Sequence, residues 1–256
     1  DSSVLTVVGD GNLTINLNSG KYFGIGNSLD EYHGELNFYQ DGGIIINANG
    51  MKGIGIGSGL GGVINIKRGH YEFDMKGQEG ACIGSVNGDS ELFIEYCDMD
   101  IYSGISNGTI IGSVNGDADI KLENISAKLQ GAGNIITGIG TIAGNSCMVR
   151  LENVNISSNI RAKECYGIGC RAGRTNIYIG YAAVKSVVQG TAAVAFGNSV
   201  MSAKLYCSNA DIGTNAVTEF NSDIGALEKN IQLENGRAEF VLNGQEVKRQ
   251  ILAARL

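Results

Sequence analysis

The chain has 256 residues, 39 of them glycine and none of them proline or tryptophan, with 43% apolar and 18% charged residues. That composition excludes collagen, which needs glycine at every third position, and a Pro/Gly/Ser-rich disordered tract, and it supplies enough apolar surface for a core. Nineteen basic against 26 acidic residues give a net charge of −7 with no run of Lys or Arg, so no nucleic-acid partner is expected for this segment. No apolar stretch approaches the roughly 18 residues of a membrane-spanning helix.

The chain opens at Asp1 without a signal-like start, and residues 4–8 (Val-Leu-Thr-Val-Val) already read as a strand. Residues 1–23 are expected to form a partial first coil of a larger protein whose upstream part has been removed. From residue 24 a repeat takes over, and a repeat decides the architecture. Gly26, Gly55, Gly84, Gly112, Gly140, Gly169, Gly197 and Gly225 recur every 28 or 29 residues, each preceded by Ile or, once, by Phe196. A second apolar row runs Leu36, Ile64, Leu92, Ile120, Val149, Ile177, Leu205, Ile231, with a companion two residues later from Phe38 to Leu233. Apolar residues at i and i+2 mark a half-buried strand. A third row reads Leu17, Ile45, Phe73, Ile101, Leu129, Ile156, Val184, Ile212, Phe240.

Three short strands per period, separated by Gly, Asn, Asp and Ser, predict an all-β fold. The expectation is a right-handed parallel β-helix, a three-sheet β-solenoid of about eight coils with 28–29 residues per coil, forming a single domain over 1–256. Glycine after the core isoleucine permits a corner with positive φ or a close backbone approach. Proline is absent because strands paired on both edges need every N–H. The column Tyr96, Asn124, Asn153, Tyr181, Asn209, Asn235 reads as a corner ladder of stacked amides. The repeats end at residue 243. Residues 244–256 place Val247, Ile251, Leu252 and Leu256 on one side and Lys248, Arg249 and Arg255 towards the end, the pattern of a C-terminal capping helix.

The six cysteines (Cys82, Cys97, Cys147, Cys165, Cys170, Cys207) include no pair at matching positions one period apart. They read as buried free thiols, which fit a reducing compartment better than an oxidising one. His33 and His70 have no metal-spaced neighbours. Gly57-Ser58-Gly59-Leu60-Gly61-Gly62 meets the letters of a dinucleotide fingerprint, but the strand Val63–Ile66 follows it where a helix is required. Pectin-cleaving enzymes share this general architecture and concentrate paired acids on one strand face. The nearest approach here, Asp98 and Asp100, places both on the outer face of one strand.

Aligning the repeats turns positions into columns about 5 Å apart. On the outer face of the second strand one column is Asn37, Asn65, Phe93, Lys121, Arg150, Tyr178, Tyr206, and beside it stands Tyr39, Lys67, Glu95, Glu123, Glu152, Gly180, Ser208. One reading is a charge-balanced solvated face. The functional reading is a strip in which Phe93, Tyr178 and Tyr206 stack on sugars, with Lys121 and Arg150 beside them, and in which Glu95, Glu123 and Glu152 hold Ca²⁺. Asp89 and Asp117, one coil apart in the turn after the glycine, are a second candidate Ca²⁺ pair, although turn geometry explains the same letters.

The repeats Gly24-Ile25-Gly26, Gly53-Ile54-Gly55, Gly138-Ile139-Gly140 and Gly167-Ile168-Gly169 resemble those of the bacterial glycine-rich parallel β-helix proteins. They are similar in particular to clostridial carbohydrate-binding β-helix proteins. The resemblance covers most of residues 24–225 and implies a surface or secreted location, with acidic polysaccharide bound in some relatives with the help of calcium. The expected function is a non-catalytic module contacting polysaccharide, or a protein surface, through one flat sheet. The alternatives are an accessory domain of an intracellular regulator, which the cysteines favour, and a polysaccharide lyase.

Overall fold

The structure, a computed structural model, describes residues 3–199, 201–219 and 231–252. The Ile224–Gly225 step of the repeat and residues 253–256 of the expected cap lie outside them. Among the described residues every regular element is a strand. The strands hydrogen-bond into one 16-stranded sheet that winds through about eight turns as a parallel β-solenoid. Several strands run through corners without a break, among them Gly61–Ser85 and Asp89–Ser113.

The second-strand rows hold as expected. Leu36, Ile64, Leu92, Ile120, Val149, Ile177, Leu205 and Ile231 are successive register partners, as are Phe38, Ile66, Ile94, Leu122, Leu151, Ile179, Cys207 and Leu233. Inward side chains of all three strands form one continuous core. Val86, Val114 and Ile142 form a second, outer cluster with Leu29 and Ile54, so the third strand is buried on both faces.

The glycine column is real, but its second member is Gly57 rather than Gly55. Gly26 pairs with Gly57, Gly57 with Gly84, and the column continues through Gly112, Gly140, Gly169 and Gly197. The first interval is therefore 31 residues and the second 27. Most of the additional length lies in the long turn over residues 27–33, with one more residue in the corner between Phe38 and Gly43, because a surface turn absorbs an insertion that a stacked strand cannot. From Gly26 to Gly169 the φ angles lie between +132° and +138°, and Gly197 has +102°. A Cβ on Gly140 would stand 1.8 Å from the carbonyl oxygen of Gly169, so backbone conformation and stacking distance both demand glycine. From Gly57 onward the residue after each glycine is buried and ties a turn, as a hydroxyl or amide side chain everywhere except at Cys170. Ser113 Oγ donates to the Gly88 carbonyl at 2.7 Å, Thr141 Oγ1 to the Gly116 carbonyl at 2.7 Å, and Asn198 Nδ2 to the Gly173 carbonyl at 2.8 Å.

The third apolar row needs correction at both ends. Ile45 pairs with Thr14 and faces outward, while Ile15, Ile46 and Phe73 form the inward row and Leu17 pairs with Ala48. Beyond Leu129 the partner is Ser158, whereas Ile156 pairs with Ala127. The row Phe73, Ile101, Leu129 thus continues through polar residues, and Ser158 and Ser186 are buried. Ser186 Oγ donates to the Ala195 carbonyl at 3.2 Å, in space left by Gly167.

The C-terminal segment is a strand, not a helix. Gln245–Leu252 pairs antiparallel with Ile231–Leu242. Asn243 and Gly244 both have positive φ (48° and 79°), the two-residue Asn-Gly turn that matches hairpin twist. Asn243 is anchored to the coil beneath: Thr218 N–H donates to its Oδ1, and its Nδ2 donates to the Thr218 carbonyl. A hairpin strand pairs the last exposed edge directly, which a helix laid across the end would not.

Gly140→Ala is expected to lower stability by at least about 2 kcal/mol through positive-φ strain and the clash with Gly169. Gly213→Ala, where a Cβ meets nothing within 4 Å, is expected to be neutral within about 0.5 kcal/mol. Denaturant midpoints of the two variants check this.

Candidate functional site

Alternation along each strand sends residues 93, 121, 150, 178 and 206 outward, and parallel register stacks them in one column. The column beside it carries Glu95, Glu123 and Glu152, then Gly180 and Ser208, then Glu234. Where glutamates give way to two small residues, the surface sinks. A groove of about 770 Å³ lies there, lined on one side by Tyr178 and Tyr206 and floored by Gly180 and Ser208, with Glu152 and then Glu123 towards one end and Glu234 at the other. The two tyrosine rings are parallel within 6° with centroids 5.0 Å apart, a stacked pair favoured beyond simple burial. Tyr178 is 40% exposed. Glu152 leans across Gly180, since a Cβ there would meet its Oε2 at 2.2 Å. Gly180 thus makes room for a carboxylate turned into the groove.

Of the residues anticipated from sequence, the groove gathers Lys121, Arg150, Tyr178 and Tyr206 with Glu123 and Glu152. Phe93 and Glu95 do not line it; Phe93 is half-buried, three turns and roughly 14 Å from Tyr178. The cations are tied within the face. Lys67 bonds Glu95 at 3.1 Å, Lys121 bonds Glu123 at 2.6 Å, and Arg150 bonds Asp119. The hydrogen bond with Glu123 raises the Lys121 pKa above the ordinary lysine range, with Glu95 adding and Arg150 opposing. All these pairs lie at the surface, where solvent and salt screen them, and each offsets one carboxylate of the face.

Asp89 and Asp117 sit in the turns and hold backbone. Asp117 N–H donates to Asp89 Oδ1 at 2.8 Å, and Asn145 and Ser146 N–H both donate to Asp117 Oδ1, at 2.6 and 3.0 Å. Each carboxylate thereby clamps the next coil. Among the described residues no three His, Cys, Asp or Glu side chains gather as a metal site would require. His33 is buried, with Nδ1 2.9 Å from Ser58 Oγ, and burial lowers its pKa to about 4. Asp98 and Asp100 lie on a separate face, where Asp100 is paired with Lys128 at 3.5 Å. All six cysteines are free and buried. Burial raises their thiol pKa values, to about 12 at Cys82 and about 11 at Cys165, leaving neither a nucleophile. Among the described residues no helix is long and apolar enough to cross a membrane.

Family models, curated proteins and solved structures were all compared with the chain, and none matches it. The groove itself was half visible in the residue columns. Tyr178 and Tyr206 stood out, whereas Gly180 and Ser208, which create the depression by being small, did not. Gln232 and Glu234 close its far end, and the signal for them was continuation of the same two columns for one more turn.

Asp117→Ala is expected to cost about 1–2 kcal/mol by leaving two backbone N–H groups without their acceptor, with no dependence on added Ca²⁺. Thermal unfolding in CaCl₂ and in EDTA checks both parts.

Proposed function

We propose that the chain is a non-catalytic β-solenoid binding module that holds an uncharged polysaccharide in the groove between Glu152 and Glu234. The observation that carries this reading is the stacked Tyr178–Tyr206 pair beside a floor of Gly180 and Ser208. Aromatic carbons offer an apolar surface to the C–H faces of sugar rings. The carboxylates of Glu152 and Glu234 accept hydrogen bonds from sugar hydroxyls, while Gln232 both donates and accepts.

Charge selects among glycans. Lys121 and Arg150 each already have an acidic partner, and the groove's carboxylates outnumber its cations. A polyanion therefore meets net repulsion. The Gly-Ile-Gly resemblance supports a glycan ligand and a cell-surface setting. Its calcium-assisted acidic polymers suit this groove less well, because Glu123 is ion-paired and Asp89 and Asp117 are committed to backbone.

The test is affinity gel electrophoresis and calorimetry with soluble neutral polysaccharides (β-glucan, xylan, mannan) and with polygalacturonate, in EDTA and in Ca²⁺. A neutral polymer is expected to bind without Ca²⁺. The double variant Tyr178→Ala/Tyr206→Ala should lose at least tenfold in affinity, about 1.4 kcal/mol, while Phe93→Ala keeps it. Binding of polygalacturonate alone, or only with Ca²⁺, would overturn the reading.

A further inference from the structure

The corner column beside the groove holds an exception. Its residues sit in the left-handed region: Asn124, Asn153, Asn209 and Asn235 have φ of 53°, 51°, 50° and 49°, and Tyr96 and Tyr181 have 55° and 46°. Asparagine tolerates this conformation through its short polar side chain, whereas a tyrosine there is a genuine outlier with a steric cost. At Tyr181 the cost is double. Asn153 Nδ2 donates to Asn124 Oδ1 at 2.6 Å, and an asparagine at 181 would carry that amide ladder on towards Asn209. Tyrosine interrupts it. The backbone does not need tyrosine either, since the Tyr181 N–H donates to the Ser208 carbonyl at 3.0 Å, as the Asn153 N–H does to the Gly180 carbonyl at 2.9 Å. The side chain packs little: it is 64% exposed. Local stability thus argues against this residue on three counts, and strain of this kind persists where something other than folding selects it.

What surrounds Tyr181 supplies that something. It follows Gly180, the groove floor, directly in sequence. Around the corner it lines a second hollow of about 600 Å³ with Asn153, Asn155, Ala183, Asn209 and Asp211. Asn155, Ala183 and Asp211 are shared with a third hollow of about 570 Å³ on the next face, which also takes in Ser157 and Lys185. The groove shares no lining residue with the second hollow but adjoins it through the consecutive pairs Glu152–Asn153, Gly180–Tyr181 and Ser208–Asn209, and Tyr181 stands at that corner. Tyr96 has the same backbone and similar exposure, 59%, but lines none of these hollows.

Resting on the neutral-glycan reading above, we infer that Tyr181 is a ligand-contacting residue and that the polysaccharide crosses the solenoid corner instead of running along one face. The chain passes from the Tyr178–Tyr206 pair over Gly180 and Ser208, turns against the Tyr181 ring, and continues across Ala183 towards Lys185 and Asp211. The aromatic at the corner offers a bent glycan a C–H contact where it leaves the first face. The hydroxyl and amide groups of Ser157 and Asn155 hydrogen-bond it on the second.

The experiment compares Tyr181→Asn, Tyr96→Asn and Tyr178→Ala/Tyr206→Ala on the neutral polysaccharide that the unmodified chain binds, with melting temperature and Kd read for each. Tyr181→Asn is expected to raise Tm by about 2–4 °C and to weaken binding five- to tenfold. Tyr96→Asn should raise Tm without changing Kd. If Tyr181→Asn binds like the unmodified chain while the Tyr178/Tyr206 variant loses affinity, the corner crossing is wrong and the groove stands. A fall in Tm for Tyr181→Asn would make the tyrosine structural and overturn the inference. If no neutral polysaccharide binds at all, the groove reading fails and the corner contact fails with it.

Discussion

Everything in this solenoid depends on backbone meeting backbone at the glycine corners. At Gly84, Gly112 and Gly140 a Cβ would stand 1.8–1.9 Å from the carbonyl oxygen of the next turn. No other residue fits, so each glycine locks its turn onto its neighbour at one register. Parallel pairing by itself specifies register only through the burial pattern, and on a strand buried on both faces, as the third strand is here, that pattern is weak. The corner supplies what the pattern lacks. Differences in turn length must then be absorbed on the surface, as residues 27–33 absorb them before the 27-residue coil that follows.

A locked register converts sequence into columns, and columns repeat chemistry. Most of the outer face illustrates the dull consequence: Lys67 with Glu95 and Lys121 with Glu123 pair side chains that would otherwise repel their own kind along the stack. Recognition arises where repetition stops. Gly180 and Ser208 break the glutamate column, Tyr178 and Tyr206 replace the cations, and Tyr181 displaces an asparagine from the corner. These five substitutions fall within two adjacent turns. Clustered departures from a repeat are more informative than the repeat, because stacking explains the rest.

The architecture was legible from sequence because its signal is distributed over eight periods: the second apolar row and its companion survive residue by residue. The errors were local and physical. Gly53-Ile54-Gly55-Ile56-Gly57 offers two candidate corners, and counting favours Gly55 while the longer preceding turn selects Gly57. Ser158 is polar yet buried, so hydrophobicity pointed to Ile156 in its place. Residues 245–252 carry apolar residues at helix-compatible spacing, but Asn243-Gly244 is a hairpin turn, and the exposed edge of the preceding strand was waiting to be paired. Within the site, large aromatic residues announced themselves and small ones did not. A depression is made by missing atoms, which composition cannot flag.

Short-range cross-linking tests the register that all of this presupposes. Lys128 and Ser157 are partners across adjacent turns on an exposed face, whereas a uniform period drawn through Leu129 and Ile156 would set Lys128 against Asn155. Lys128→Cys/Ser157→Cys should cross-link intramolecularly by direct disulfide formation, the native cysteines being buried and silent, while Lys128→Cys/Asn155→Cys, a diagonal pair about 7–8 Å apart, should link far less. Efficient linking of the second pair in preference to the first would contradict the glycine-locked register and the groove built upon it.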